Sequence, residues 1–397
     1  MKGLINNFFY SIGIHIIKII MPLLLFPVIA RYLSTDGMGE FSYYQAITII
    51  IASVIEYGYA YSAINRIVKA NQNDKLYVIQ EVESSRLLLS SVIITISLAI
   101  SIYKHDYLLV IATMTGVLSG ILPVYLFQSL NNFKKLATIE LFSLLFYYTL
   151  TFSVLYFYPS ISGIIISLLI SRALSYFWSR KQFKEQNYTL KFCSLKKTII
   201  SLKSNFLYFF HRASVVLYST FSIIVIKYFY DNSILGLYSS AEKIVIALCA
   251  VTGPIQGVLL PYLSRNKREN IVILFYLILV VGAISFSIIT VIFSKTIFEK
   301  YYGIEFSDGS VYYNLLIWLF PLRLISSLIS TDLFLSQGLQ KVFSSIYLVS
   351  ILGILPIILL STYLLGIQAM IITLLFFEII LIILLLLKHR SINKKRH

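Results

Sequence analysis

The chain has 397 residues, of which 58% are hydrophobic and only 13% charged, and a formal net charge of +16. A soluble domain carries about 25% charged residues, so this composition excludes an ordinary soluble globular protein. Two cysteines, Cys193 and Cys249, exclude a disulfide framework and a cysteine-rich metal site.

Breaks in hydropathy predict twelve apolar spans, at about 8–30, 41–63, 87–103, 107–129, 138–158, 160–179, 205–227, 237–262, 271–294, 312–334, 343–363 and 366–387. Most are about 20 residues, long enough to cross a hydrocarbon core of roughly 30 Å. The fold class is therefore all-α integral membrane. Lys2 precedes a long apolar stretch without a small-residue cleavage site, so the N-terminus reads as the first span and not as a removed signal peptide. With the N-terminus inside, the cytoplasmic segments hold twenty-three Lys and Arg residues and the opposite segments five. That asymmetry places both termini in the cytoplasm. The basic tail KHRSINKKRH also suits anionic membrane lipids as partners.

Polar stripes appear along several spans. Span 1 carries Ser11, His15, Lys18 and Pro22 at helical spacing, and span 2 carries Gln45, Ala52, Glu56, Tyr59 and Ala63 on one face. Arg172 lies in span 6. In span 7, His211 and Arg212 precede Ser219 and Ser222. Span 8 opens with Glu242 and Lys243, and Ala247, Ala250, Pro254 and Pro261 continue the face of Lys243. In span 10, Arg323 leads Ser326, Ser327 and Ser330; Glu378 lies in span 12.

A charge at mid-membrane costs about 2.5–3.5 kcal/mol on the insertion scale. Cations at Lys18, Arg172, Arg212, Lys243 and Arg323 are thus expected to be paired or to line a hydrated cavity. Lys18 and Glu56 are at comparable depth and could neutralise one another, and so could Glu242 and Lys243. Arg172 could snorkel to the interface, and Glu140 and Asp332 are expected to be solvated span ends. Arg212 and Arg323 have no acidic partner on their own helices, which favours contact with an anionic ligand. His15 and His211 read as hydrogen-bonded cavity residues, and Pro22, Pro254 and Pro261 as kinks or hinges.

The basic loop near 180–204 lies at the middle of the chain. Asn7-Phe8-Phe9-Tyr10 opens span 1 and Asn205-Phe206-Leu207-Tyr208 opens span 7; Gly39 and Gly236 stand at the starts of spans 2 and 8. These offsets, near 198 residues, predict two parallel six-helix lobes, 1–179 and 205–387. Between and after them come a basic linker, 180–204, and a basic tail, 388–397. The chain has no Walker motif, no H-E-x-x-H and no G-x-S-x-G, and its longest external segment is about 17 residues. An enzyme, a metal site, a cofactor and a nucleic-acid partner are not expected.

The segments NFFYSIGIHIIKIIMPLLLFPVIARYLSTDGMGEFSYYQA, EYGYAYSAINRI, PVYLFQSLNNFKK and GLYSSAEK followed by GPIQGVLLPYLS resemble the Wzx-type O-antigen and polysaccharide flippases, in the superfamily that also holds the MATE multidrug exporters. The resemblance implies a MATE-like fold and a flippase of the bacterial inner membrane acting in lipopolysaccharide biosynthesis. Its cargo would be an oligosaccharide repeat unit linked to undecaprenyl pyrophosphate. It also implies a polysaccharide polymerase and a chain-length regulator as partners, and an ion-coupling role for Glu56 or Glu378. Alternatives are an ion-coupled drug or small-molecule exporter of the same fold, and a membrane polysaccharide polymerase.

Cys193 tests the orientation. It lies in the basic central loop, so an impermeant thiol reagent applied to intact spheroplasts should leave it unlabelled. Labelling there would reverse the topology.

Overall fold

The structure, a computed structural model, describes residues 2–184, 192–265 and 270–394. Among the described residues the regular structure is helical throughout: α1 (Lys2–Glu56), α2 (Tyr59–Lys69), α3 (Gln72–Lys104), α4 (Tyr107–Gly120), α5 (Val124–Ser129), α6 (Phe133–Phe157), α7 (Ile161–Lys184) and α8 (Leu195–Phe229). The second half continues with α9 (Asn232–Cys249), α10 (Thr252–Arg265), α11 (Asn270–Ile292), α12 (Ser294–Tyr301), α13 (Gly309–Leu316), α14 (Leu319–Ser330) and α15 (Gln340–Lys394). Ten stretches among the described residues are long and apolar enough to cross a membrane. One of them, Gln340–Ile392, takes in two predicted spans, and another, Met21–Glu56, takes in the end of span 1 and most of span 2. α1 breaks at Ser34 (φ 61°) and α15 at Gly366 (φ 86°), so the twelve spans expected from the sequence are accounted for. On α11, Ile273, Leu274, Leu277, Ile278 and Val281 are exposed, as a helix facing lipid requires.

Several span ends differ from the hydropathy reading, for one reason. Amphipathic sequence at the membrane surface stays helical beyond the apolar run. α3 starts at Gln72 and not near 87, α8 starts at Leu195 inside the basic segment, and α15 runs on to Lys394. Spans 2, 4, 8 and 10 are interrupted, at Tyr57–Gly58, Ile121–Pro123, Ala250–Val251 and Ile317–Trp318. The segment expected as an external loop near 295–311 contains α12 and a 3₁₀ turn, Ile304–Phe306. Phe298, Tyr302 and Phe306 are almost fully buried there and pack with the buried Tyr313 of α13, neighbouring rings lying 5.5–5.6 Å apart.

Backbone packing divides the chain into two compact units. One comprises the start of the chain to Lys18 together with Glu40–Thr220; the other comprises Ile19–Gly39 and everything from Phe221 onward. In the first unit, Ala112, Gly116 and Gly120 form a small-residue face on α4 at spacings of four. Thr48 donates its hydroxyl to the Ala112 carbonyl at 3.2 Å. A Cβ built on Gly116 or Gly120 would lie 2.8 Å or 2.7 Å from the Cβ atoms of Ile51 and Ile55. Small residues allow this close helix approach where lipid offers no competing hydrophobic drive.

In the second unit, the stretch around Thr35–Gly39 crosses the start of α9. A Cβ on Gly39 would sit 1.9 Å from the Asn232 carbonyl oxygen, and one on Gly236 would sit 1.9 Å from the Thr35 carbonyl oxygen. The Thr35 and Ser233 hydroxyls share a hydrogen bond of 2.9 Å. Glycine is required at both positions because backbone meets backbone. Gly39→Ala and Gly236→Ala should each destabilise the protein by about 1–3 kcal/mol, the range for overpacking, read as a lower Tm in detergent. Gly353→Ala, where no atom lies within 4 Å, should be neutral or mildly stabilising.

Candidate functional site

The first unit builds its site where α1 stops. Tyr57 (φ 50°) and Gly58 (φ 71°) both take the left-handed conformation, which ends the helix at Glu56 and redirects the chain into α2. Gly58 lets α8 press close: a Cβ there would lie 2.7 Å from the Tyr208 carbonyl carbon. The Tyr57 ring stacks on Phe209 at 4.4 Å and 6°. One turn further along α8, the Arg212 Nε lies 3.5 Å from a Glu56 carboxylate oxygen. The two side chains are 39% and 23% exposed, so they lie open to a cavity or solvent and are not sealed in the core. Arg212 Nε makes no hydrogen bond among the described residues. The guanidinium is charge-balanced but keeps donors in reserve.

The second unit holds a tighter pair. Arg323 Nε on α14 donates to Glu378 on α15 at 3.1 Å, with the acid 4% exposed and the arginine 27%. Ser326 Oγ lies 3.5 Å from the other carboxylate oxygen. The Ser330 hydroxyl donates to the Ser327 carbonyl, and the buried Ser327 hydroxyl has no hydrogen-bond partner among the described residues.

Both arginines thus take their acid from another helix. The acids are the two residues for which the family resemblance implies an ion-coupling role. Glu56 pairs with Arg212; the side chains of His15, Lys18, His211 and Pro261 lie outside the described residues. Arg172 does not snorkel freely: it lies 3.7 Å from Glu140, which is buried and not a solvated span end. Asp332 is buried as well. Lys243 sits over the Phe26 ring at 4.9 Å, and the buried Glu242 accepts a hydrogen bond from Tyr238 at 3.3 Å. Pro22 lies within α1 and Pro254 in the first turn of α10, where its missing N–H leaves no helical bond unmade. The interruption of span 8 falls just upstream of Pro254, at Ala250–Val251.

Among the described residues, the most deeply buried ionic cluster is one that hydropathy assigns to a loop. On α3, Glu83 and Arg86 are each 2% exposed and lie 3.9 Å apart. Arg180 from α7 also pairs with Glu83, and the Tyr125 hydroxyl donates to it at 3.0 Å. Arg86 stacks 4.7 Å over the Tyr125 ring and donates to the Leu122 carbonyl at 3.3 Å. The signal in the sequence was Glu83-x-x-Arg86, an i,i+3 pair directly before an apolar run. Among the described residues no group of three or more His, Cys, Asp or Glu side chains could hold a metal ion.

A family model described as "Polysaccharide biosynthesis protein" matches residues 4–267. A Shigella dysenteriae protein named "Putative O-antigen transporter" is 23% identical over 391 residues, covering 94% of this chain and 96% of its own. An Escherichia coli K12 protein of the same name is 24% identical, covering 85% and 86%. Among solved structures, an inward-facing multidrug resistance MATE family transporter superposes with a TM-score of 0.62 at 13% identity, covering 93% of each chain. A Vibrio cholerae MATE transporter gives 0.56 at 13% identity, covering 99% of this chain and 97% of its own. The fold is that of MATE transporters, as the sequence led us to expect.

The two kinds of ion pair should respond differently to mutation. Glu83→Ala strands two arginines, one fully buried; losing one partner of such a pair costs about 3–5 kcal/mol. Membrane abundance and Tm should fall sharply. Glu56→Gln, at the open pair, should leave both near wild type.

Proposed function

The chain belongs to the polysaccharide biosynthesis protein family, and from that premise we propose that it carries a lipid-linked oligosaccharide repeat unit across the bacterial inner membrane. The cargo in this reading is an O-antigen unit on undecaprenyl pyrophosphate, moved from the cytoplasmic to the outer leaflet. The observation that carries the reading is the open Arg212–Glu56 pair, 3.5 Å apart, on a helix interruption of an otherwise apolar bundle. The names of the Shigella and Escherichia relatives support the same class of cargo.

A pyrophosphate needs cations, and a guanidinium offers it paired N–H donors in a fixed plane. Each arginine is held by a carboxylate, so neither charge is left uncompensated in the membrane. An arriving pyrophosphate competes for the guanidinium. The displaced carboxylate, Glu56 or Glu378, is then free to take up a proton or another cation. Pair exchange of this kind would link cargo binding to an ion without a dedicated metal site. Arg172, Lys243, Lys18, His15 and His211 complete the set proposed to face the cargo. The sugar would lie against hydroxyls and aromatic rings, and the lipid tail would remain outside the bundle. Alternating access by rocking of the two six-helix lobes completes the cycle, with both termini in the cytoplasm.

The test separates cargo contact from internal pairing. The double variants Arg212→Gln with Glu56→Gln, and Arg323→Gln with Glu378→Gln, remove each pair without leaving a lone charge. Protein abundance in the membrane should stay near normal while surface polysaccharide falls at least tenfold. Arg212→Lys and Arg323→Lys should retain more display than the glutamine doubles, since charge survives but the planar fork does not. Full display by both double variants would overturn the proposal.

A further inference from the structure

A cavity with polar side chains in its walls lies apart from these pairs, wholly within the first unit, among α2, the start of α3 and the start of α8. Its volume is about 600 Å³, inside the range of roughly 300–1,000 Å³ typical of small-ligand sites. The walls are unusual for a membrane helix bundle. Arg66 lies along one side, held bidentately by Glu81 with N–O distances of 3.0 and 2.5 Å. That contact occupies two of the five guanidinium N–H donors and cancels the acid. Lys197 on α8 also lines the cavity, 5.5 Å over the Tyr77 ring. The ionised groups lining the cavity therefore leave one net positive charge.

The floor carries an unmet demand. Ser62 is 8% exposed, and its hydroxyl is buried with no hydrogen-bond partner among the described residues. It lines the cavity beside Ser201, whose own hydroxyl is bonded to Tyr59 at 2.8 Å. A buried hydroxyl without a partner costs about 1–3 kcal/mol, so the site suits a polar occupant. The rim adds Asn65, with both donors and an acceptor, and the exposed ring of Tyr208.

We infer that this cavity binds a phosphate-bearing polyol, the phosphate between Arg66 and Lys197 and the hydroxyls toward Ser62 and Asn65. A cation is disfavoured by the net positive charge. An apolar molecule would leave the Ser62 hydroxyl and the spare guanidinium donors unpaired. The aromatic rings of Tyr77 and Tyr208 offer flat apolar faces to the C–H side of a sugar or a glycerol backbone. The same chemistry occurs in a soluble or lipid-linked sugar phosphate and in the headgroup of phosphatidylglycerol. The cavity adjoins the basic segments around Lys69 and Lys196–Lys197, where either could arrive.

The experiment uses the full-length protein in phosphatidylcholine nanodiscs, titrated by calorimetry with glucose 1-phosphate, glucose and inorganic phosphate separately. It reads binding alone and so does not depend on transport. Glucose 1-phosphate should bind saturably and more tightly than either fragment. Lys197→Ala, at an exposed position, and Ser62→Ala should each raise its Kd about tenfold with Tm unchanged; Lys197→Gln provides a second neutral variant. Weaker binding in nanodiscs enriched in phosphatidylglycerol would assign the lipid headgroup as occupant, and unchanged binding would assign a sugar phosphate. No saturable binding of glucose 1-phosphate, or wild-type binding by a Ser62→Ala, Lys197→Ala double variant, would overturn the inference.

Discussion

The constraint on which the rest depends is that a charge inside a bilayer must be answered by another. An isolated ion at mid-depth costs about 2.5–3.5 kcal/mol by insertion measurements, and the cost compounds when several occur. This chain meets the constraint with arginine–carboxylate pairs between different helices: Arg212 with Glu56, Arg323 with Glu378, Arg172 with Glu140. Arginine suits the task because its planar fork retains donors after one is engaged. The pairs also differ in exposure. Glu83 and Arg86 are sealed, which marks a structural joint, whereas Arg212 and Glu56 are open, which leaves them available to a ligand.

Bringing those partners together requires helices that are not straight. An uninterrupted span 2 would carry its axis past Glu56 without a turn. The two left-handed residues Tyr57 and Gly58 end it there, and the absent side chain of Gly58 admits the α8 backbone that bears Arg212. The groove formed by Ala112, Gly116 and Gly120 fixes the same stretch of α1 from the other side. Backbone freed at such breaks is tolerated inside a membrane only where protein or water can satisfy it. The interruptions therefore fall in the polar-striped spans 2, 8 and 10 as well as in span 4.

Much of this was legible in the sequence, and the boundary of legibility has a physical origin. Membrane-spanning helices, their number and the polar stripes follow from hydropathy and helical period, which are local. The charged residues at 56, 212, 323 and 378 stood out for the same reason. Their pairing did not, because the partners lie 55 or more positions apart and one-dimensional spacing carries no such information. Glu83 and Arg86 were misplaced because hydropathy ends a span where charge begins, yet the α3 helix continues and buries them. Phe298, Tyr302 and Phe306, which pack with Tyr313 of span 10, were passed over as loop because their helices are too short for a periodic signal.

The crossing near Gly39 joins the sequence repeat to the physics of packing. Gly39 stands 197 positions before Gly236, and Thr35 stands the same distance before Asn232. The close contacts are Gly39 with Asn232 and Gly236 with Thr35. Each glycine thus lies against the residue four positions before the other glycine, the reciprocal pattern of two segments that cross in antiparallel sense about a local two-fold axis. Two-fold contact also explains why both positions are glycine. The axis brings two equivalent backbones together at the same height, so a side chain on either would strike the carbonyl of the other.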